Sequence, residues 1–558
     1  MPQDPNACPN STSGSFCPRF RSCLVDALLP HSSHPVHRIP AVGSQPCSPR
    51  DYGRGSVVCV CNATYCDGLE RQEPLPPGQY ALYSSSKGGL RFERTAGEFS
   101  SGGKEQLRAS NGTGAIVFNV DRSSVYQSVI GFGGAMTDAA GVNIASLSES
   151  AQEQLLRSYF SEYGVEYNMV RVPIGGSDFS TRPYSYDDDG SPSDPELTHF
   201  QLAEEDIKYK IPYLKRVTEM SKKEILLLGS AWSAPKWMKT NNDFIGSGKL
   251  KVDYYQSWAE YYARFLDEYG TQGLSFWGVT AQNEPFDGRL PGFSFNCMGW
   301  SSEEQTKWVG ENLGPTLHAR GHENVEILVL DDQRSFLSAW TDVLFSDEKA
   351  SKYASGIAVH WYIDFLTPPV VLNTTHYKYP GKFLLYTEAC NGESPEEHVI
   401  LGSWERAEKY AYSVIETMTN WVTGWVDWNL ALDLTGGPNW AKNFVDSAII
   451  VNATADEFYK QPMYYALGHF AKFVPNGSKH IGIYKDELFP NEKDSTHNNK
   501  QDKSSNIYAI AYDTPDHATV VVVLNKNDQD MEITFRDPDR GEITKVISAR
   551  SLHTLMYW

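Results

Sequence analysis

The stretch Phe276-Trp277-Gly278-Val279-Thr280-Ala281-Gln282-Asn283-Glu284-Pro285 opens as a short apolar run and leads to a glutamate before its closing proline, and Phe383-Leu384-Leu385-Tyr386-Thr387-Glu388 again leads from an apolar run to a glutamate far downstream. Six further runs, at residues 129–134, 167–173, 225–230, 325–330, 356–362 and 424–430, are equally short and apolar or β-branched. Helical patterns separate them. Ser146-x-x-Glu149 reads as a capping box, with Leu155 and Tyr159 one helical step apart, and Trp258, Tyr262, Phe265, Leu266 and Tyr269 recur at amphipathic spacing. Strand alternating with helix through eight units predicts a closed (β/α)8 TIM barrel. An open doubly wound sheet is the competitor, but no Gly-rich phosphate turn follows the first run. In a barrel, chemistry sits at the C-terminal strand ends, so Glu284 and Glu388 converge on one mouth despite their separation in sequence.

The chain has 558 residues, 41% of them hydrophobic. That length holds a barrel of roughly 250 residues with material to spare at both ends. Short β-type runs in residues 76–127 and 478–558, such as 115–120 and 518–524, predict one sandwich assembled from both flanks; two independent β domains fit the same pattern. Residues 486–505 are polar and highly charged and read as a mobile hairpin loop.

Charge and cysteine usage narrow the setting. A formal net charge of −20 with dispersed acidic residues argues against a nucleic-acid partner. It fits a solvated surface, or work in an acidic compartment where protonation relieves self-repulsion. No apolar run approaches the roughly 18 residues that span a bilayer, so membrane contact is expected to be peripheral. Cys47, Cys59, Cys61 and Cys66 lack the two-knuckle spacing of a zinc site and read as two disulfides in a secretory-pathway protein, their pairing left open. Sequons at Asn10, Asn62, Asn111, Asn373, Asn452 and Asn476 point to glycosylation. Cys297 and Cys390 read as core thiols outside the disulfides, and Cys390 is not taken as a nucleophile. Residues 1–46, which include Cys8, Cys17 and Cys23, lack the basic and apolar segments of a signal peptide and read as a disordered or atypical extension outside the fold.

Cleaving a glycosidic bond needs one carboxyl group protonated for the leaving oxygen and another ionised at the anomeric carbon. Pro285 turns the chain directly after Glu284 and aims that carboxyl inward. Each glutamate alone could be a salt-bridged strand terminus; two at opposed strand ends form a catalytic pair. Trp232, Trp237, Trp361, Tyr362 and Trp428, all close to strand ends, offer flat faces to a sugar, with core packing as the competing fate. Asp178 is placed to fix sugar hydroxyls, or is a turn aspartate. No metal or cofactor is expected.

The stretches Gly131-Phe132-Gly133-Gly134-Ala135-Met136-Thr137-Asp138-Ala139-Ala140, Thr280 to Pro285, His360-Trp361-Tyr362-Ile363-Asp364-Phe365-Leu366, Tyr386 to Cys390 and Gly437-Pro438-Asn439-Trp440 resemble the lysosomal acid β-glucosidase (glucosylceramidase) family of clan A retaining glycoside hydrolases. The resemblance runs from Cys47 to the C-terminus. It implies a barrel at 128–429 and 462–477, an Ig-like sandwich at 76–127 and 478–558, and a small disulfide-bearing antiparallel β domain at 47–75 and 430–461. It implies hydrolysis of glucosylceramide to glucose and ceramide at acidic pH by double displacement, with Glu284 as the acid/base, its pKa raised, and Glu388 as the nucleophile. Asp178, Trp232, Asn283, Trp428 and Asn443 match glucose-binding positions. Phe179, Phe295 and Tyr362 match the aglycone side, and Arg171 matches the arginine supporting the nucleophile. Ser177 stands where the family pattern has a cysteine. The family setting implies the lysosome lumen, an anionic lipid surface met by Phe293, Phe295, Tyr362, Phe365 and Leu366, a saposin-type activator and a trafficking receptor. A barrel glycosidase acting on polysaccharide and a non-catalytic glycolipid-binding protein are the alternatives; the presence of both glutamates argues against the second.

Overall fold

All eight runs form strands in the computed structural model, which describes residues 45–70, 73–100, 116–189, 193–392, 397–486 and 506–558. They are β1 (Gly131–Ala135), β2 (Met169–Pro173), β3 (Leu226–Ser230), β4 (Phe276–Thr280), β5 (Glu326–Gln333), β6 (Ala354–His360), β7 (Phe383–Glu388) and β8 (Val422–Asn429). Every neighbouring pair is parallel, and β8 pairs with β1 to close the barrel. Tight closure explains the glycines of β1: a Cβ on Gly133 would lie 1.9 Å from the Met169 carbonyl oxygen. Met169, Leu226, Leu228, Leu328, Ala358, Leu385 and Val426 pack inside the barrel, so its interior is a filled core and only the C-terminal end is open to chemistry.

Outside, helix α1 (Glu149–Phe160) buries Leu155 and Tyr159, and α2 (Tyr255–Thr271) buries all five residues of its apolar stripe. Each fully buried ring contributes roughly 2–3 kcal/mol relative to an exposed one. The capping box at Ser146 and Glu149 is not formed. The preceding helix runs through Ala145, and Ser146 closes its C-terminus, its Oγ donating to the Asn143 carbonyl at 2.6 Å. Ser148 precedes α1 instead, and its side chain is spent on Asp456. Ser301 and Glu304 do form such a box, ahead of the helix Ser302–Trp308.

The flanks form one sandwich rather than two domains. Nine strands lie in a single sheet, in the order Gly541–Ile547, Met531–Asp537, Ile116–Ser128, Lys479–Lys485, Ile507–Asp513, Thr519–Asn525, Ser551–Tyr557, Gln79–Ser86 and Glu93–Glu98. The sheet curls over a shared core that includes Leu82, Phe118, Ile481, Val521, Ile533 and Leu555. Its distant strands meet where the Tyr557 hydroxyl donates to Asp537 Oδ2 at 2.7 Å. Thr519–Asn525 is buried on both faces, Val521 and Val523 inside the sandwich and Val520, Val522 and Leu524 in the core shared with the barrel.

A third, five-stranded sheet combines Pro49–Asp51 and Val57–Asn62 with Glu457–Lys460, Ile449–Asn452 and Leu432–Asp433. The disulfides are Cys47–Cys59 and Cys61–Cys66. The expectation of a wholly antiparallel sheet needs one correction. Leu432–Asp433, the short continuation of the chain beyond β8, pairs parallel with Ile450 and Val451. The readings that involve Cys8, Asn10, Cys17, Cys23, Asn111 and residues 487–505 lie outside the described residues.

One buried histidine joins the sandwich to the helix α3 (Pro462–Ala471), and a second lies within the sandwich. His469 lies between Thr554 Oγ1 and Ser85 Oγ at 2.8 and 2.9 Å, and His553 lies between Ser84 and Ser551 hydroxyls at 2.8 and 2.7 Å. Burial pushes His553 down to about 4, so it stays neutral in the fold at pH values where an unfolded histidine takes up a proton. Its contribution is present above the unfolded value near 6.5 and is lost as pH falls towards 4. Replacement by asparagine is therefore expected to cost less at pH 4.5 than at pH 7, by roughly 2 kcal/mol, in denaturant titrations of both proteins at both pH values.

Candidate active site

The ends of β4 and β5 are both bent out of regular strand geometry. Glu284 has φ +39°, and Leu330 and Asp331 have φ +71° and +56°, unusual for residues with side chains. The Glu284 N–H donates to the Asp331 carbonyl at 2.9 Å, so the two bends hold each other. Conformations of this kind cost of order 1–3 kcal/mol each and persist only where surrounding structure enforces them.

That enforcement comes from Arg171 on β2, whose side chain has no exposed surface. Its Nη2 donates to Asp331 Oδ2 at 2.7 Å, Asn283 Oδ1 at 2.8 Å and Ser230 Oγ at 3.0 Å, while Nη1 pairs with Glu388. Its guanidinium carbon sits 4.9 and 5.3 Å from the ring centres of Trp232 and Trp428. Asp331 in turn accepts from Ser230, Thr280 and Thr387 hydroxyls at 2.6–2.7 Å and bonds His360 Nε2 at 3.1 Å. Burial opposes the charge of Asp331, but Arg171 and His360 hold its carboxyl well below the usual range.

His360 carries this order to the first glutamate. Its Nδ1 lies 3.0 Å from Glu284 Oε1, which also accepts from Gln333 Nε2 at 2.9 Å. Burial would lower the imidazole, yet Glu388, Asp331 and Glu284 raise it to about 10. Both ring nitrogens are then donors, one to Glu284 and one to Asp331. Across the mouth, Tyr362 donates its hydroxyl to Glu388 Oε1 at 2.8 Å. One carboxylate oxygen of Glu284 and one of Glu388 lie within 4.8 Å of each other.

A cluster of buried polar and aromatic side chains adjoins the pair. Asp178 is buried, and its Oδ2 accepts from Asn443 Nδ2 at 3.0 Å and Asn439 Nδ2 at 3.1 Å. Burial first, then the charges of Glu388 and Glu284, push Asp178 up to about 7 against the two amides. Trp232 and Trp428 stack at 5.0 Å with Phe179 edge-on to Trp428, and Phe295 and Tyr362 pack against that cluster. Ser177 braces the loop, its Oγ accepting from the Phe179 N–H and its carbonyl from Trp440 Nε1.

Residues 129–474 match the glycosyl hydrolase family 30 TIM-barrel domain, and residues 494–555 match the family 30 β-sandwich domain. The chain belongs to glycosyl hydrolase family 30. It is similar to the lysosomal acid glucosylceramidase of Mus musculus, with 44% identity over 93% of this chain and 96% of that protein. Putative glucosylceramidase 4 of Caenorhabditis elegans is 40% identical over 92% of this chain and 95% of its own length. The crystal structure of SrfJ from Salmonella typhimurium aligns with a TM-score of 0.74 at 27% identity, covering 86% of this chain and 99% of that one. This chain is accordingly a glycoside hydrolase.

Within this family 30 enzyme, the structure gathers Asp178, Phe179, Trp232, Asn283, Phe295, Tyr362, Trp428 and Asn443 with Arg171 around the glutamate pair. Two aromatic candidates go elsewhere. Trp237 packs in the main core with its Nε1 on the Asp187 carbonyl, and Trp361 packs on Tyr410 and Trp425 with its Nε1 on the Cys390 carbonyl. Sequence reading assigned no role to Asp331, His360, Gln333 or Asn439. The signal for the first was present: β5 extends three residues past the apolar run, into Asp331-Asp332-Gln333. The proton placement also differs from expectation. Burial would raise Glu284, but the hydrogen bond and charge of His360, with a hydrogen bond from Asp287, hold it below the ordinary range. Burial raises Glu388 against the pull of His360 and Arg171.

Replacing Asp331 by asparagine leaves Arg171 and His360 buried without their shared anion. Loss of about 3–5 kcal/mol is expected in urea unfolding, together with a fall in turnover. A variant as stable as the parent would show that the network contributes little to the fold.

Proposed function

We propose that the chain is a retaining β-glucosidase that hydrolyses glucosylceramide to glucose and ceramide. The observation carrying this is the approach of the two strand-end carboxylates to within 4.8 Å, each held by its own donors. Retaining enzymes place their carboxyl groups about 5–5.5 Å apart, whereas inverting enzymes need about 6.5–9.5 Å to admit a water. In this reading Glu388, ordered by Arg171 and Tyr362, attacks the anomeric carbon. Glu284 gives a proton to the departing oxygen, then removes one from the water that cleaves the glycosyl ester. Asp178 and Asn443 bond sugar hydroxyls, with Trp232 and Trp428 against the sugar's apolar face, and no cofactor takes part.

The lipid substrate is supported by similarity to the mouse glucosylceramidase and by the rim of the mouth. Phe365 and Leu366 are 81% and 66% exposed on the turn after β6, and Phe293 and Phe295 pair at 4.4 Å. Apolar surface removed from water there contributes about 25 cal/mol per Å². Among the described residues no helix is long and apolar enough to cross a membrane, which suits peripheral docking on an anionic surface. We place the protein in the lysosome lumen, with a saposin-type activator and a trafficking receptor as partners. Glycans are assigned to Asn62, Asn373, Asn452 and Asn476, of which Asn476 stands in an exposed turn.

Acidic operation follows from two pocket carboxyls. Burial, with the charge of Glu284, pushes Asp332 up to about 7, where Asp178 also titrates. Both are protonated at pH 5 and ionise as pH rises through 7, adding negative charge beside the glutamates, so kcat/KM is expected to fall across that range. Activity rising to a maximum at pH 8 would contradict it.

NMR of the first-formed product is expected to show β-glucose, and α-glucose would exclude retention. Supplying azide to Glu284→Gly should yield a β-glycosyl azide; an α product would reverse the two roles. With glucosylceramide in anionic vesicles, Phe365→Ser combined with Leu366→Ser should lower turnover several-fold while a soluble aryl glucoside is hydrolysed as before. Equal losses on both substrates would move the docking surface elsewhere.

A further inference from the structure

The turn that carries Glu284 folds a second carboxyl group back against it. After Pro285, the Asp287 N–H donates to the Glu284 carbonyl at 3.0 Å, and Asp287 opens the single 3-10 turn Asp287–Arg289. The reversal brings the Asp287 side chain into hydrogen-bonding contact with the Glu284 carboxyl. Two ionised carboxylates do not make such a contact, so one proton lies between them. Glu284 is the better anion, because its Oε1 already accepts from Gln333 and faces the charged His360.

The surroundings of Asp287 point the same way. Glu284 faces it from the end of β4, Asp332 from β5 and Glu388 from β7, all carboxyls. Asp332 is tied to the same turn, its Oδ2 accepting from the Phe286 N–H at 3.1 Å. The Cys297 thiol is a further titratable neighbour, and the nearby Lys239 is engaged by the carbonyls of Phe244 and Cys297 at 3.0 and 2.6 Å. Arg289, on the same turn, lies over the Phe286 ring, 5.6 Å from its centre. Burial and the charge of Glu284 accordingly raise Asp287 far above the ordinary aspartate range.

We propose that Asp287 is the proton partner of Glu284, a positioning residue that holds in the resting enzyme the proton Glu284 delivers to the leaving oxygen. This rests on Glu284 being the acid/base. The proton passes from Asp287 to Glu284. As the bond between the anomeric carbon and the aglycone oxygen breaks, Glu284 gives that proton to the oxygen and Glu388 forms its ester bond to the carbon. Glu388 loses a negative charge in the same step in which the pair gains one, so the charge of the buried site is conserved. In the second step water gives a proton to the pair, its oxygen bonds to the anomeric carbon, and Glu388 is released ionised.

The test is the pH dependence of kcat/KM for the full chain and its Asp287→Asn and Asp287→Ala variants. An alkyl β-glucoside serves as the poor leaving group and a dinitrophenyl β-glucoside as the good one. On the alkyl substrate the alkaline limb is expected to move at least one pH unit towards acid in Asp287→Asn, whose amide still donates to Glu284 but carries no transferable proton. A smaller shift is expected in Asp287→Ala, with the acid limb in place in both variants. On the dinitrophenyl substrate the shift should vanish, and Asp287→Glu should restore the parent limb. An unmoved limb, or a loss uniform across pH, in a folded variant overturns the pairing. If Asp287→Ala does not fold, the size-matched Asp287→Asn carries the same test. Full turnover of the alkyl substrate by Glu284→Gln would instead overturn the role of Glu284, and the proposal with it.

Discussion

A buried guanidinium organises this molecule. Arg171 is stripped of water on β2, and a charge in that position is tolerated only when its donors find partners. It finds them on β3, just past β4, on β5 and on β7, in Ser230, Asn283, Asp331 and Glu388, and lies against the rings of Trp232 and Trp428. One side chain thereby ties most of the barrel mouth together. Asp331 balances it and passes the order to His360, which holds Glu284. The nucleophile candidate and the acid/base candidate are thus the two ends of one chain of charges, Glu388–Arg171–Asp331–His360–Glu284. The strained backbone at Glu284 and Asp331 is where the chain bends to meet it.

How much of this was legible in the sequence follows from where each interaction partner lies. Barrel strands are buried on both faces, so each reads as a short unbroken apolar run, and all eight could be seen. A glutamate closing such a run is equally plain. Asp331 was signalled by the polar extension of β5, but Gln333 and His360 were hidden because a polar residue closing a strand looks like any loop residue until its partner, a strand or more away, is known. Asp287 was hidden for the opposite reason: its partner is three residues distant, but only the left-handed turn at Glu284 brings them together. Ser146 carried a true capping signal for the wrong helix end, since the same hydroxyl serves a C-terminus as well as an N-terminus. Two β domains and one sandwich share the same strand pattern, and register alone separates them.

The flanking sheets belong to the same physical argument as the mouth. The chain leaves β8 through Leu432–Asp433 of the disulfide-bearing sheet, loops out to carry Asn439 and Asn443 to Asp178, and returns to that sheet at Ile449–Asn452. That loop is stitched to the β2 loop through Trp440 and the Ser177 and Ser180 carbonyls. Candidate sugar-binding groups from two ends of the barrel sequence are held by backbone that the accessory sheet anchors. The sandwich is joined to the barrel through α3 and the Thr519–Asn525 strand, which share one apolar core with it. Accessory domains here stabilise the scaffold on which the charge network is suspended.

The central claim is that this network presents Glu388, and not Glu284, to the anomeric carbon. Its most direct test is mass spectrometry of the protein after inactivation by a 2-deoxy-2-fluoro-β-glucosyl fluoride. The fluorine at C2 slows both steps by destabilising the oxocarbenium-like transition state, and the fluoride leaving group restores the first, so the glycosyl-enzyme accumulates. A single fluoroglucosyl adduct on the peptide containing Glu388 is the expected result. An adduct on Glu284, or full activity with no adduct, would contradict it.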